Sequence, residues 1–292
     1  MDVSSRFVGT SLKPMKTQIT WRQTTNYAAA VGDLNPRYLD DERAEGIVAS
    51  PMFPVAVTWP ISEKIWEYIA IPDFPYEILL TQVHYTEHIR LYRLLRPEDN
   101  LLIKGRIAAI VPHKSGTLMV LRYDAYDQTE GPVFTEHIGG LMRGVQCPDG
   151  GAGAAELPKM PSLETKRPPV WEASIPVSTE APFIYDGCTN IIFPIHTSVK
   201  FAHQVGLPGI IYQGTAVLAL GVREVTNREV GGDPVRVKAI SCRFTGMVIP
   251  GSTIQVQMLG RITEKDQTDI FFEILDSAGK RAVSDGVVSV SL

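Results

Sequence analysis

The sequence predicts an α+β chain made of two copies of one unit. Each copy is an antiparallel sheet wrapped round a central helix, and the two sheets join into one. Three observations carry this. A tyrosine-led phrase occurs twice, as YAAAVGDLNPRY (residues 27–38) and YDGCTNIIFPIH (residues 185–196), and aligns without a gap, Pro36 on Pro194 and Tyr38 on His196. The features after each phrase keep the same order, the mark of an internal repeat. Between the copies, QCPDGGAGAAELPKMPSLETKRPPV (residues 146–170) loses all periodicity to Gly, Pro and Ala, which is linker composition.

The expected organisation is therefore 1–145, a linker at 146–170, and 171–292. In each copy a helix and long loop come first. An apolar helix follows a tight turn, in GIVASPMFPVAVTWPI from Gly46 and in GIIYQGTAVLALGVREV from Gly209. Next come YRLLRPEDNLLIKGRI and CRFTGMVIPGSTIQVQMLGRI, each a strand, a turn led by Pro97 or Pro250, and an alternating strand. Each copy closes with a hairpin, turning at residues 129–131 and 277–279. A sheet with one apolar face must cover a helix. Joining the two sheets edge to edge satisfies strands that would otherwise lie open. The repeat implies a pseudo-two-fold axis, with sites where one half's loop meets the other half's helix.

Composition narrows the function classes. With 292 residues, 44% hydrophobic and 21% charged, the chain can bury a large core unaided. A net charge of −4 with no basic stripe argues against nucleic acid as a partner. Cys147, Cys188 and Cys242 make no disulfide framework and suggest a reducing compartment, so a cytoplasmic location is expected. His84 and His88 are spaced like ligands, but no third residue completes a set, so neither metal nor cofactor is expected. The N-terminal residues lack a signal-peptide core, and no apolar run is long enough to span a bilayer. The final VSVSL reads as a last strand rather than a peroxisomal address. A small-molecule substrate is the expected partner. A fused pair is complete as a monomer, and a homodimer is equally compatible.

The order of elements, with these phrases, resembles the hotdog fold of the MaoC-like, R-specific enoyl-CoA hydratases. It looks like a fused double hotdog of the hydratase 2 type over most of the chain outside the linker. In that family the active loop resembles YALSGDxNPIH, and the Asp five residues before the His shares the substrate water with it. A later His-Gly turn opens the central helix and offers an amide to the thioester oxygen. Carried over residue by residue, the family His falls on His196, the Asp on Ile191 and the Asn on Phe193. The turn glycine falls on Gly214, preceded by Gln213. The N-terminal copy keeps Asp33 and Asn35 but has Tyr38 in place of the His. The resemblance thus implies an acid in one copy and an imidazole in the other.

Adding water to an enoyl thioester needs a base, an acid for the α carbon, and donors for the enolate-like oxygen. His196 stands among Ile191, Ile192, Phe193 and Ile195. A dry setting of that kind lowers an imidazole pKa and keeps a neutral base, while holding an ordered water poorly. The preferred expectation is therefore a hydratase/dehydratase-like lyase, isomerase or cyclase acting on an acyl- or polyketide-like substrate in secondary metabolism. Alternatives are an ordinary trans-2-enoyl-CoA hydratase, and a non-catalytic acyl- or lipid-binding protein or partner subunit. The substrate carrier, CoA or a carrier protein, is open. Candidate catalytic residues are His196 as base, with Asn190, Asp33 and Tyr38; candidate substrate-binding residues are Gln213, Gly214, Phe193 and Asp186. Gln213 and Gly214 begin a helix, whose first amides are unpaired donors. For Asp33 the competing role is an Asx turn or helix cap in GDLNP; for His196 it is a core histidine bonded to backbone. Lys200, Arg223, Arg236, Lys238 and Arg243 are the cations available for a CoA phosphate, each equally readable as a surface charge.

Overall fold

A computed structural model describes residues 1–71, 73–163 and 168–292. The N-terminal half runs β1 (Met15–Gln18), α1 (Trp21–Ala30), α2 (Pro36–Leu39), α3 (Pro54–Glu63), α4 (Ile65–Tyr68), β2 (Gln82–Leu91), β3 (Asn100–His113), β4 (Gly116–Tyr126) and β5 (Pro132–Arg143). The C-terminal half repeats it as β6 (Trp171–Pro176), α5 (Ala181–Thr189), α6 (Val199–Gln204), α7 (Gly214–Glu229), β7 (Val237–Phe244), β8 (Thr253–Glu264), β9 (Gln267–Leu275) and β10 (Arg281–Ser291).

Among the described residues, ten strands form one antiparallel sheet in the order β1-β3-β4-β5-β2-β7-β10-β9-β8-β6. Read from either end, the order of equivalent strands is the same. The halves meet where β2 pairs with β7, and His88 lies directly opposite Ser241. Both residues stand nine positions before their turn proline, Pro97 or Pro250, so the pseudo-two-fold axis passes between them. The expected α+β double hotdog with one continuous sheet is the observed fold.

Local chemistry explains the elements. A reciprocal capping box between Thr20 and Gln23 starts α1. The central helix α7 runs 16 residues, with residues 215–222 buried. Gly221 allows its approach to the sheet, because a Cβ there would lie 2.8 Å from the Phe272 ring. The matching helix α3 is shorter. Pro60 lies inside it, the helix ends at Glu63, and after Lys64 the chain resumes as α4.

The repeat extends to individual backbone bonds. Val48 N–H donates to Arg37 O, and Ile211 N–H to Ile195 O. Ala49 N–H donates to Leu95 O, and Tyr212 N–H to Val248 O. Each pair is equivalent when the matching segments of the two halves are aligned one by one. At the axis Tyr27 and Tyr185, both fully buried, bring their hydroxyls to 3.3 Å.

Residues 146–163 of the expected linker are tied to the N-terminal sheet and reach toward β8. Gln146 O accepts from Val3 N–H, Ala152 bridges to Ile110, and Glu156 pairs with Arg106 at 2.7 Å. The side chain of Leu163 lies against Gly260 on β8. Residues 164–167 of that stretch lie outside the described residues.

Candidate active site

His196 ends a 3-10 turn, Pro194–His196, between α5 and α6. Its Nδ1 lies 2.8 Å from Ile211 O. A carbonyl can only accept, so Nδ1 carries the proton and Nε2 keeps its lone pair. Burial pushes the ring pKa down to about 4, and the Ile211 carbonyl opposes this in part. No carboxylate contributes. The ring is thus a neutral imidazole, oriented by backbone alone, with Nε2 free to take a proton.

The Ile211 bond places this ring three residues from Gly214, the first residue of α7. Gln213 precedes that helix without capping it through its side chain, so the first amides are available as donors. Gln213 is buried; its Nε2 donates to Pro182 O at 2.9 Å, and its Oε1 has no partner. Gly214 is small for a visible reason: a Cβ would sit 3.1 Å from the Phe244 ring. One residue on, Thr215 Oγ1 accepts from Tyr185 Oη at 3.1 Å, tying α7 to α5.

The other expected residues divide into groups. Phe193 stands beside His196, ring centroids 6.4 Å apart. The dry wall expected around His196 is only partly present, because Ile192 and Phe193 are 45% and 41% exposed. Ile191, at the position of the family Asp, is buried. Asn190 is exposed and adopts φ 57°, closing α5 in the left-handed region that Asn tolerates. Asp186 lies within α5, one carboxyl oxygen buried without a partner, and burial raises its pKa.

Asp33 and Tyr38 are in the other half, away from the His196 turn. Both are buried, and burial raises both pKa values. Asp33 lines a polar cavity of about 810 Å³ with Asn35, Arg37, Arg43, Arg223 and Asn227. Asp33 Oδ1 accepts from Asn35 N–H at 3.3 Å, and Asn35 Oδ1 accepts from Arg37 N–H at 3.0 Å, an Asx turn followed by a cap on α2.

Most of the candidate cations are occupied. Arg223 donates to Val31 O, Arg236 to Ser291 O and Lys238 to Val235 O, while Arg243 pairs with Asp285. Lys200 is exposed, close to the His196 turn in sequence. Among the described residues no group of three His, Cys, Asp or Glu could hold a metal.

Two features escaped the sequence reading. Trp59 on α3 reaches across the halves, and its indole N–H donates to Ile192 O at 3.2 Å. Glu87 on β2 and Glu136 on β5 are buried under α3, with Thr58 Oγ1 donating to Glu136 at 2.6 Å and His84 Nε2 at 3.2 Å from Glu87. Burial drives both carboxyls well above their usual range, with mutual repulsion adding at Glu136. A signal was present: TEHI occurs at residues 86–89 and again at 135–138, placing a charged residue on a core-facing strand position.

The fold is that of a double-hotdog protein. Residues 162–278 match the MaoC like domain family, and residues 6–136 match the FAS1-like, dehydratase domain region. The chain is related to the MaoC-like dehydratase/hydratase enzymes, in their double-hotdog form. It is 26% identical over 209 residues to "Enoyl-CoA hydratase 2, peroxisomal" of Arabidopsis thaliana, covering 67% of this chain and 65% of that one. It is 26% identical over 263 residues to "Peroxisomal multifunctional enzyme type 2" of Mus musculus, covering 86% of this chain but 34% of the longer enzyme. The MaoC-like dehydratase structure from Phytophthora capsici superposes with TM-score 0.84 at 21% identity, covering 98% and 96% of the two chains. The cytoplasmic expectation does not stand, because the Arabidopsis and mouse relatives are peroxisomal. Cysteine content reports a reducing setting, which does not separate the two compartments. No described helix is long and apolar enough to cross a membrane.

Proposed function

We propose that this chain catalyses hydratase/dehydratase chemistry on an acyl thioester, of the trans-2-enoyl-CoA class, with His196 as the proton-transfer base. One observation carries this reading: the neutral ring, bonded through Nδ1 to Ile211 O, stands beside the start of α7. The relatives named enoyl-CoA hydratase support the substrate class.

A single imidazole can balance the reaction. Nε2 takes a proton from water as the hydroxyl oxygen bonds to C3. The resulting imidazolium returns that proton to C2. The thioester oxygen carries the negative charge between the two steps, and the amides at Gly214 and the next residues of α7 stabilise it. Dehydration runs the same steps backwards. With Ile191 in the acid's place, no carboxylate stabilises the imidazolium, and its pKa near 4 makes His196 a weak base that is neutral above pH 5.

The test is incubation with trans-2-enoyl-CoA, following loss of the conjugated thioester absorbance and identifying the product. The expected outcome is a 3-hydroxyacyl-CoA, formed at a rate that is flat above pH 5 and declines through about pH 4. Absence of product at any pH overturns the reading. A β,γ-enoyl product instead supports a second reading, isomerisation or elimination on an apolar substrate of specialised metabolism. The buried Ile191, unable to hold a water, favours that alternative.

A further inference from the structure

The two active-site loops are equivalent in path but braced differently. In the N-terminal half the loop braces itself. Asp33 and Asn35 accept from Asn35 N–H and Arg37 N–H, and Asn35 Nδ2 donates to Gly232 O at 2.7 Å. In the C-terminal half Ile191 and Phe193 occupy those two positions and can accept nothing. The 3-10 turn bearing His196 starts without a side-chain cap. The side chains of Ile192 and Phe193 are each more than two-fifths exposed, so packing holds this segment less closely than the buried core.

The bonds that remain come mostly from the same half. Ile191 N–H donates to Thr189 Oγ1 at 3.2 Å, His196 N–H to Phe193 O at 3.1 Å, Ser198 N–H to Pro194 O at 2.8 Å and Ile211 N–H to Ile195 O at 3.3 Å, beside the ring's own bond to Ile211 O. None of them holds the carbonyl of Ile192. That carbonyl accepts from Trp59 Nε1–H at 3.2 Å, a donor from the other half of the molecule. It has a reciprocal: Arg223 on α7 donates to Val31 O at 2.6 Å in the N-terminal loop. In the ungapped alignment of α3 and α7, Trp59 falls on Val222, the neighbour of Arg223. Each central helix therefore sends a donor from near its middle to the loop of the opposite half.

We infer that Trp59 is a positioning residue for His196, holding its loop through Ile192 O in place of the side-chain brace that the Asp and Asn positions supply in the other half. The inference rests on His196 being the base of the reaction proposed above. It gives the N-terminal half, which lacks the imidazole, a defined part in the chemistry of the C-terminal half.

The test is Trp59→Phe, which keeps an aromatic ring and removes the N–H. A second variant places 3-benzothienylalanine at 59, an indole isostere with sulfur in place of N–H, and serves if the phenylalanine variant does not fold. The expected result is a fall in kcat of about fivefold, the scale of one hydrogen bond, with KM within about twofold. The His196 ring signals of histidine-labelled protein should shift and broaden, and adding Phe193→Asn, which restores a cap, should recover part of the loss. A folded variant with unchanged kcat and unchanged His196 signals overturns the inference. If the wild-type chain turns over no enoyl thioester, the hydratase reading fails while the His196 signals still decide the positioning role.

Discussion

The loop of residues 32–38 and the loop of residues 190–196 occupy equivalent places about the pseudo-two-fold axis, yet their polar groups are spent differently. In the first, Asp33 and Asn35 bond to the backbone of their own turn and to Gly232, beside a polar cavity. In the second, the imidazole of His196 is bonded on one nitrogen and open on the other. The helix starts differ as well. His196 stands by Gly214, whose amide is free to donate, whereas the equivalent position before α3 is Pro51, which has no N–H. The imidazole and the open helix-start amides thus lie together at one end. The acid at the other end stiffens its own turn. A carboxylate is useful to hydration only where an imidazole and a carbonyl-polarising amide converge, and at the Asp33 end they do not.

That contrast can be sharpened by moving the acid. Ile191→Asp puts a carboxylate at the position equivalent to Asp33, five residues before His196. Hydration should rise by about tenfold, the low side of what a positioned acid or base contributes. Residue 191 is buried, so the folded state should lose about 1–3 kcal/mol. Turnover and a denaturant melt check the two parts. A variant that is less stable and no faster shows that the loop cannot aim an acid at the substrate.

A smaller effect concerns the junction between the halves. Glu87 and Glu136 have folded pKa values raised above those of the unfolded chain, chiefly by burial. The folded state therefore binds more protons than the unfolded state above the ordinary carboxylate range. Stability from this pair is full below about pH 4 and declines as pH rises toward the folded pKa values. Glu87→Gln should leave stability near pH 4.5 almost unchanged and raise it by about 1–2 kcal/mol at pH 8. Denaturant midpoints at the two pH values measure it. An equal change at both would mean that no ionisation is involved.

Much of this architecture was legible in the sequence. Period and order fix the repeat: Tyr27 with Tyr185, Pro97 with Pro250, and two hairpins in matching places. Their backbone bonds coincide pair by pair. His196 and the start of α7 were also legible as neighbours, through the family resemblance. What could not be read were contacts between the halves. Trp59 falls in an apolar helix where an aromatic looks like core, and only the docking of α3 against the other loop reveals its N–H as a donor. The exposure of Ile192 and Phe193 was hidden for the same reason, since apolar residues beside a histidine read as a pocket wall until the loop's tilt is known. Glu87 and Glu136 were hidden because strand alternation tells which face a residue takes, while two acids become partners only when β2 and β5 pair in register. Compartment was misread because cysteine usage is shared by cytosol and peroxisome.

The most direct measurement compares His196→Ala with Asp33→Asn, both folded, on the same enoyl thioester. The first should lose at least about a hundredfold in kcat, and the second should stay within about twofold of the wild type. Equal losses, or a loss confined to the Asp33 variant, would contradict the assignment of the chemistry to the C-terminal loop.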